Sequence, residues 1–161
     1  MANLSLPHFF YKSPRDQSLR FLEEWCEKGK PLVDLLHLNI EYEKKLYTDG
    51  YNAFIEKNLN KAEQLFALLT LLNSSRKGYW KALGSAQFAL EKYQEAIASF
   101  TVATFLDPDE IQSILYIARC YEKLNEKAKA LNTLDWTKSY RLSGENQKAV
   151  SAMEHRLRRK Q

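Results

Sequence analysis

Apolar residues recur at helical spacing along most of this chain, in short blocks separated by polar or glycine-containing joints. Two adjacent blocks in the middle of the chain combine large apolar residues with small ones and end at a proline. Small residues let two antiparallel helices cross closely, and large apolar residues fill the space beside the crossing. The pattern therefore predicts a pair of packed helices. These positions are Trp80, Leu83, Gly84, Ala96, Phe100, Ala103 and Pro108.

The same pattern recurs 34 residues away in both directions. Small residues stay small and large apolar residues stay large. The aligned sets are Gly50, Gly84 and Ala118; Ala62, Ala96 and Ala130; and Phe66, Phe100 and Leu134. This period and these residue types are the tetratricopeptide signature, a repeated helix-turn-helix unit. We therefore predict an all-α superhelical solenoid with three repeats, at 43–76, 77–110 and 111–144. The alternative is an ordinary helical bundle with Ala and Leu in its core.

Regions without this period flank the repeats. Residues 1–12 have no usable periodicity and are expected to form a loosely held arm. Residues 13–42 are predicted to be helical and include the apolar segment 32–38, which is too hydrophobic to stand in water alone. This region is either a cap on the first repeat or a dimerisation element, and we favour dimerisation. Residues 145–161 are predicted to form a capping helix and a basic tail, because terminal repeats need a polar outer cover.

Capping residues predict where several helices begin and end. The first helix of the first repeat is expected over residues 41–56. Asn60 and Glu63 have capping-box spacing, so the second helix is predicted to begin at Asn60. Residues 107–110, Asp-Pro-Asp-Glu, combine a cap, a first-turn proline and acids near a positive helix end, which predicts another helix start. The second helix of the third repeat is expected to reach about Tyr140.

Composition limits the class of protein. The chain has 161 residues, a length typical of one domain, with 45% hydrophobic and 27% charged residues. No stretch approaches the ~18 apolar residues of a membrane span, and the first residues lack a secretory signal, so we expect a cytosolic protein that does not insert into membranes. Cys26 and Cys120 are interpreted as small buried hydrophobes rather than as metal or redox groups.

The net charge of +4 has its visible excess in the C-terminal tail. We interpret that tail as a solvated helix end, whose cations complement the helix dipole, rather than as a nucleic-acid site. Catalysis finds no support, because His8, His37 and His155 are scattered and common catalytic motifs are missing. We therefore expect no enzyme, no metal site and no cofactor.

Solenoids of this kind bind ligands on the concave face, which is lined mainly by the first helix of each repeat. The positions expected there are Lys44, Tyr47, Tyr51, Phe54, Gly78, Lys81, Ser85, Phe88, Gln112, Leu115, Arg119 and Glu122. Tyr47, Tyr51 and Phe54, joined by Phe88, would form an apolar floor suited to an extended peptide with spaced proline or aliphatic residues. Lys81 and Arg119 would pair with ligand acids or carbonyls, or else stay solvated. Alternatively, the aromatics pack against the N-terminal region or a second copy.

Residues 16–140 resemble the class II chaperones of type III secretion translocators, the tetratricopeptide group typified by the LcrH and SycD proteins. The resemblance rests on a short helix with a glycine-containing turn at 25–30, the apolar segment after it, residues 46–66 of the first repeat, the block 79–84 and residues 93–100. Three repeats between an N-terminal helical region and a C-terminal helix are the family's plan.

The resemblance implies a cytosolic bacterial protein that binds hydrophobic, pore-forming translocators before export and dimerises through its N-terminal region. The groove positions that it carries over are Tyr47, Tyr51, Phe54, Leu68, Lys81, Ser85 and Phe88. Phe54 and Leu59 depart from the tyrosines common in that family, so two hydroxyl contacts are missing. Two other functions stay open: an adaptor that joins folded proteins, and nucleic-acid binding through the basic tail.

Overall fold

The computed structural model describes residues 40–108, 110–139 and 142–159, together with the single residue Lys28. These residues form seven α-helices and no strand. The helices are α1 (Ile40–Ile55), α2 (Leu59–Leu72), α3 (Lys77–Ala89), α4 (Tyr93–Leu106), α5 (Ile111–Lys123), α6 (Lys127–Asp135) and α7 (Gly144–Arg159), and a 3-10 helix (Trp136–Ser139) extends α6. The predicted arm at 1–12 and all of the predicted N-terminal region before Ile40 except Lys28 lie outside the described residues.

The helices stack in chain order. Each helix from α1 to α6 packs mainly against the one before it and the one after it, and α7 packs on α5 and α6. A closed bundle would instead bring helices distant in sequence together around one core. The prediction of an all-α tetratricopeptide solenoid is therefore confirmed, and the bundle alternative is wrong.

The repeat is held together where glycine meets an aromatic ring. A Cβ added at Gly50 would lie 2.7 Å from Cε1 of Phe66, and one added at Gly84 would lie 3.0 Å from the ring of Phe100. Both rings are buried, and the alanine that precedes each ring by one helical turn is fully buried as well. The aligned small and large residues therefore mark the crossings between paired helices, as the sequence pattern predicts.

The chain reverses between the two helices of each repeat through one left-handed residue. Lys57, Glu91 and Asn125 have φ values of 65°, 61° and 60° and occupy the same repeat position. After Lys57, the side chain of Asn58 caps α2 by accepting a hydrogen bond from the backbone N–H of Lys61, with an O···N distance of 3.4 Å. The prediction that Asn60 caps this helix is therefore wrong, because the chain turns two residues earlier.

The helix start predicted at residues 107–110 is also displaced. Asp107 ends α4, and Glu110 caps α5 by accepting a hydrogen bond from the backbone N–H of Ser113 at 3.3 Å. Pro108 consequently precedes the helix instead of occupying its first position. The second helix of the third repeat ends at Asp135 and continues as the 3-10 turn, short of the predicted Tyr140.

The last helix covers the open end of the third repeat. Val150, Met153 and Leu157 of α7 are buried in one cluster with residues of α5 and α6. Leu115 belongs to that cluster and is only 6% exposed, so the prediction that it lines the groove is wrong. The cause is α7 itself, which packs over this part of α5.

The glycine crossings generate a stability prediction. We expect Gly50→Ala to lower the free energy of unfolding by about 1–3 kcal/mol, because the new methyl group must displace the buried ring of Phe66. Gly78→Ala is the matched control, since a Cβ there meets nothing within 4 Å, and we expect no loss of stability and a gain of up to about 1 kcal/mol. Chemical denaturation of both variants measures the difference. Equal stability of the two variants would show that the crossing tolerates a methyl group.

Candidate binding groove

An open cavity of about 340 Å³ lies between α1, α2 and α3 on the concave face. Its walls combine aromatic rings with small residues and two lysines. The lining residues are Tyr47, Tyr51, Phe54, Phe66, Lys77, Gly78, Lys81, Ala82 and Ser85. Five of the seven predicted peptide-binding residues therefore meet at one site, and we call it the apolar cavity.

A hydrogen-bond network around the buried Glu43 holds Tyr79, whose ring contacts Tyr47 of the apolar cavity. The ring of Tyr47 lies 5.8 Å from that of Phe66 and 5.9 Å from that of Tyr79, measured between centroids. The Tyr79 hydroxyl donates to Oε2 of the buried Glu43 at 2.6 Å, and the Asn73 amide donates to the same oxygen at 3.4 Å. Burial and the hydrogen bond to Glu43 raise the pKa of Tyr79 to about 12. Tyr79 therefore stays protonated, and its ring packs against that of Tyr47.

The two lysines of the apolar cavity are already paired. Lys77 forms an ion pair with Asp107, and Nζ of Lys81 lies 2.8 Å from Oε1 of Glu110. Glu110 also accepts a hydrogen bond from the Ser113 hydroxyl at 2.7 Å. Burial acts to raise the pKa of Glu110, but the hydrogen bonds from Lys81 and Ser113 outweigh it and hold that pKa below its usual value. The rim of the apolar cavity is therefore electrically balanced, which suits apolar ligand side chains.

A second cavity of about 380 Å³ lies further along the concave face. It has a different character, since charged residues of α5 and α7 line it beside one aromatic ring. The lining residues are Phe88, Arg119, Glu122, Lys123 and Arg156, and we call it the cationic cavity. Phe88 packs edge-on against Tyr93 and Tyr116, at centroid distances of 5.5 and 5.6 Å. The structure thus places Phe88 apart from Tyr47, Tyr51 and Phe54.

The remaining predicted residues sit as follows. Leu68 lies on α2 with 38% of its surface exposed and lines neither cavity. Ser85 lines the apolar cavity, but its hydroxyl donates to the carbonyl oxygen of Lys81 at 2.8 Å. Phe66 and Arg156 also line the cavities, although the sequence pattern did not predict them there. The repeat alignment singled out Phe66 as a core residue, and no local pattern links Arg156 to Phe88.

Metal ligands, the thiol group and membrane-spanning character were the other features of interest in the described part of the chain. No group of three or more His, Cys, Asp or Glu side chains there could hold a metal ion. Burial raises the pKa of the Cys120 thiol to about 12, so this cysteine is protonated at neutral pH. None of the described helices has the length and apolar character that crossing a membrane requires.

Comparison with known proteins gives one family match and several structural matches. The family model described as "RMD1-3: Regulator of microtubule dynamics protein 1-3" matches residues 72–160. A type III secretion system complex from Aeromonas hydrophila has a similar structure, with a TM-score of 0.78 and 21% identity over 88% of this chain and 97% of that one.

Two further structures are similar. The chaperone SycD of Yersinia enterocolitica, in complex with a peptide of the translocator YopD, gives a TM-score of 0.68 and 21% identity over 76% of this chain and 96% of that one. The tetratricopeptide domain of Arabidopsis OM64 gives 0.64 and 20% over 75% and 98%. At these identities the likeness shows a shared fold. The fold expected from the resemblance to the class II chaperones is therefore confirmed, and the same fold also occurs in a plant protein.

The ion pair at the rim generates a pH prediction. Because the pKa of Glu110 in the folded state lies below its ordinary value of 4.5, its contribution to stability is fully present above pH 4.5 and is lost as the pH falls through the folded-state pKa. We expect Glu110→Gln to lower the free energy of unfolding by about 1 kcal/mol at neutral pH, and the gap to the unmodified protein to close in acid.

Urea denaturation as a function of pH measures this gap. Glu56→Gln is the control, because Glu56 is exposed and forms no ion pair among the described residues, and it should leave the pH profile unchanged. A Glu110→Gln gap that stays constant from neutral to acid pH would contradict the assignment.

Proposed function

We propose that this chain, which belongs to the family of regulator of microtubule dynamics protein 1-3 and has the fold of tetratricopeptide chaperones, is a non-enzymatic chaperone. It holds an extended apolar segment of a partner protein in its concave groove. The family match covers the second and third repeats and the last helix, and most of the first repeat lies before it. The observation that carries the proposal is the apolar cavity, whose residues come chiefly from the first repeat and the facing side of α3.

We propose that the client is a hydrophobic translocator of a bacterial type III secretion system, bound in the cytoplasm before export. The support is the fold shared with SycD, which binds a peptide of a translocator. The exposed rings of Tyr47 and Tyr51 supply contact area at little cost in side-chain entropy. Occupying an apolar segment lowers the free concentration of the aggregating form by mass action, so no ATP site is required. We also propose that the protein dimerises through residues 13–42.

A second function, an adaptor that joins folded protein partners, is favoured by the family match. The description of that family names regulation of microtubule dynamics, and OM64 carries the same fold in a plant. An adaptor of this kind would contact its partner with the outer surfaces of the solenoid or with charged residues. Its binding would therefore survive the loss of the rings in the apolar cavity.

Co-expression with the hydrophobic translocators of the same organism tests the chaperone proposal. We expect the unmodified protein to form a soluble complex of fixed stoichiometry, visible after purification by mass measurement. Tyr47→Ala and Phe54→Ala, made together, should abolish the complex, because they remove two rings from the cavity wall. Tyr51→Lys serves as a second variant that leaves the core intact, since Tyr51 is 53% exposed, and it should weaken binding by placing a charge in an apolar site.

Phe105→Ala is the matched control, because Phe105 is an aromatic residue of α4 that is 83% exposed and lies outside both cavities. It should bind the translocator as the unmodified protein does. Circular dichroism and thermal denaturation verify that each variant is folded. If folded Tyr51→Lys and the double variant still form the complex, the groove is not the binding site. If the translocators stay insoluble and a folded protein co-purifies instead, the adaptor function replaces the chaperone.

A further inference from the structure

Within the part of the chain that the structure describes, the cationic cavity carries positive charge that no ion pair neutralises. Three cations and one carboxylate line it, and Arg156 of α7 forms an ion pair with the carboxylate, Glu122. In the described part of the chain, Arg119 and Lys123 take part in no ion pair. Among the described residues, two positive charges therefore face this cavity without an ion-pair partner.

The apolar cavity shows the opposite arrangement. Its two lysines are held by Asp107 and Glu110, which approach from the loop before α5. The concave face is therefore apolar and balanced at the first repeat and positive at the third. Because an open cavity with charged walls attracts ligand groups of the opposite sign, the two ends of the groove select different side chains.

Aromatic packing orients the side chain of Arg119. Its guanidinium carbon lies 5.2 Å from the ring centroid of Tyr116, and that ring stacks on the buried ring of Phe100 at 4.9 Å with an interplanar angle of 13°. A guanidinium placed over an aromatic face loses little further freedom on binding, and its planar fork matches the two oxygens of a carboxylate. Arg119 is therefore suited to receive a carboxylate rather than a neutral group.

The two cavities are close enough for one ligand to occupy both. Ser85 lines the apolar cavity and Phe88 lines the cationic cavity. These residues are three positions apart on α3, so their side chains lie on the same face of that helix. From Lys81, in the middle of the apolar cavity, to Phe88 the helix rises about 10 Å. An extended peptide covers that distance in about three residues.

We propose that the cationic cavity is a carboxylate subsite for the segment held in the groove. It receives an aspartate or glutamate side chain about three residues along the ligand from the apolar residue in the first cavity, with Arg119 and Lys123 as its main partners. This assignment rests on the proposed function of the groove. It narrows the ligand class from an apolar segment to one with an acid at a set distance from its apolar anchor.

Fluorescence anisotropy with labelled synthetic peptides tests the subsite. Overlapping peptides that tile a hydrophobic translocator first identify the tightest segment, which is then remade with a single Asp or Asn at each position. We expect the Asp peptide to bind about tenfold tighter than the Asn peptide at one position, about three residues from the anchor. Arg119→Gln with Lys123→Gln should reduce that preference to about twofold or less.

Lys61→Gln with Lys148→Gln is the matched control, because it removes two exposed charges outside both cavities and should keep the preference. Equal affinity for Asp and Asn peptides at every position would overturn the subsite and leave the groove function intact. An unchanged preference in the Arg119 and Lys123 variant would also overturn it. A preference seen only for a free C-terminal carboxylate over an amidated one would refute the side-chain assignment. Failure of every peptide to bind would overturn the groove function and the subsite together.

Discussion

The contact between a residue without a bulky side chain and a large apolar one, made once in each repeat, is the constraint on which this solenoid depends. Gly50 faces Phe66 and Gly84 faces Phe100 at distances that would admit a methyl group only if the ring moved. The third repeat has Ala118 and Leu134 at the aligned positions, and both are fully buried. Alanine, which is larger than glycine, is thus paired with leucine, which is smaller than phenylalanine. The combined side-chain volume at the crossing therefore changes little from repeat to repeat. Close-packed interiors require this compensation.

Because the crossings set the spacing of the paired helices, they also determine the shape of the concave face. In the first repeat the result is an open cavity beside Phe66, in which a core ring forms part of the cavity wall. In the third repeat the last helix packs over α5, buries Leu115 and brings Arg156 to the groove. The same repeat unit therefore presents an apolar site at one end and a charged site at the other. The difference arises from what packs against each end of the solenoid.

Ion pairs within the second repeat distribute the charge along this face. Lys77 and Lys81 are matched by acids of the loop before α5, whereas Arg119 lies over an aromatic ring. A lysine that already has an internal ion-pair partner contributes little to the affinity for a ligand, because a new pair forms only when the old one breaks. The basic residues of the groove are therefore not equivalent. The charge that such a surface offers to a ligand is the charge that remains after its internal ion pairs are subtracted.

The amino-acid pattern alone established the repeat, its period and the residues at its crossings, because helical spacing and a fixed 34-residue register are visible along the chain. It also located Tyr47, Tyr51, Phe54, Lys81 and Ser85 on one surface. The packing of the helices was needed to show that Lys81 is paired with Glu110, 29 residues away, and that Phe88 belongs to another cavity. The same packing was needed to show that the helix caps are Asn58 rather than Asn60 and Glu110 rather than Asp107. Such features depend on distances between separate helices and on where the chain turns, which the period leaves open.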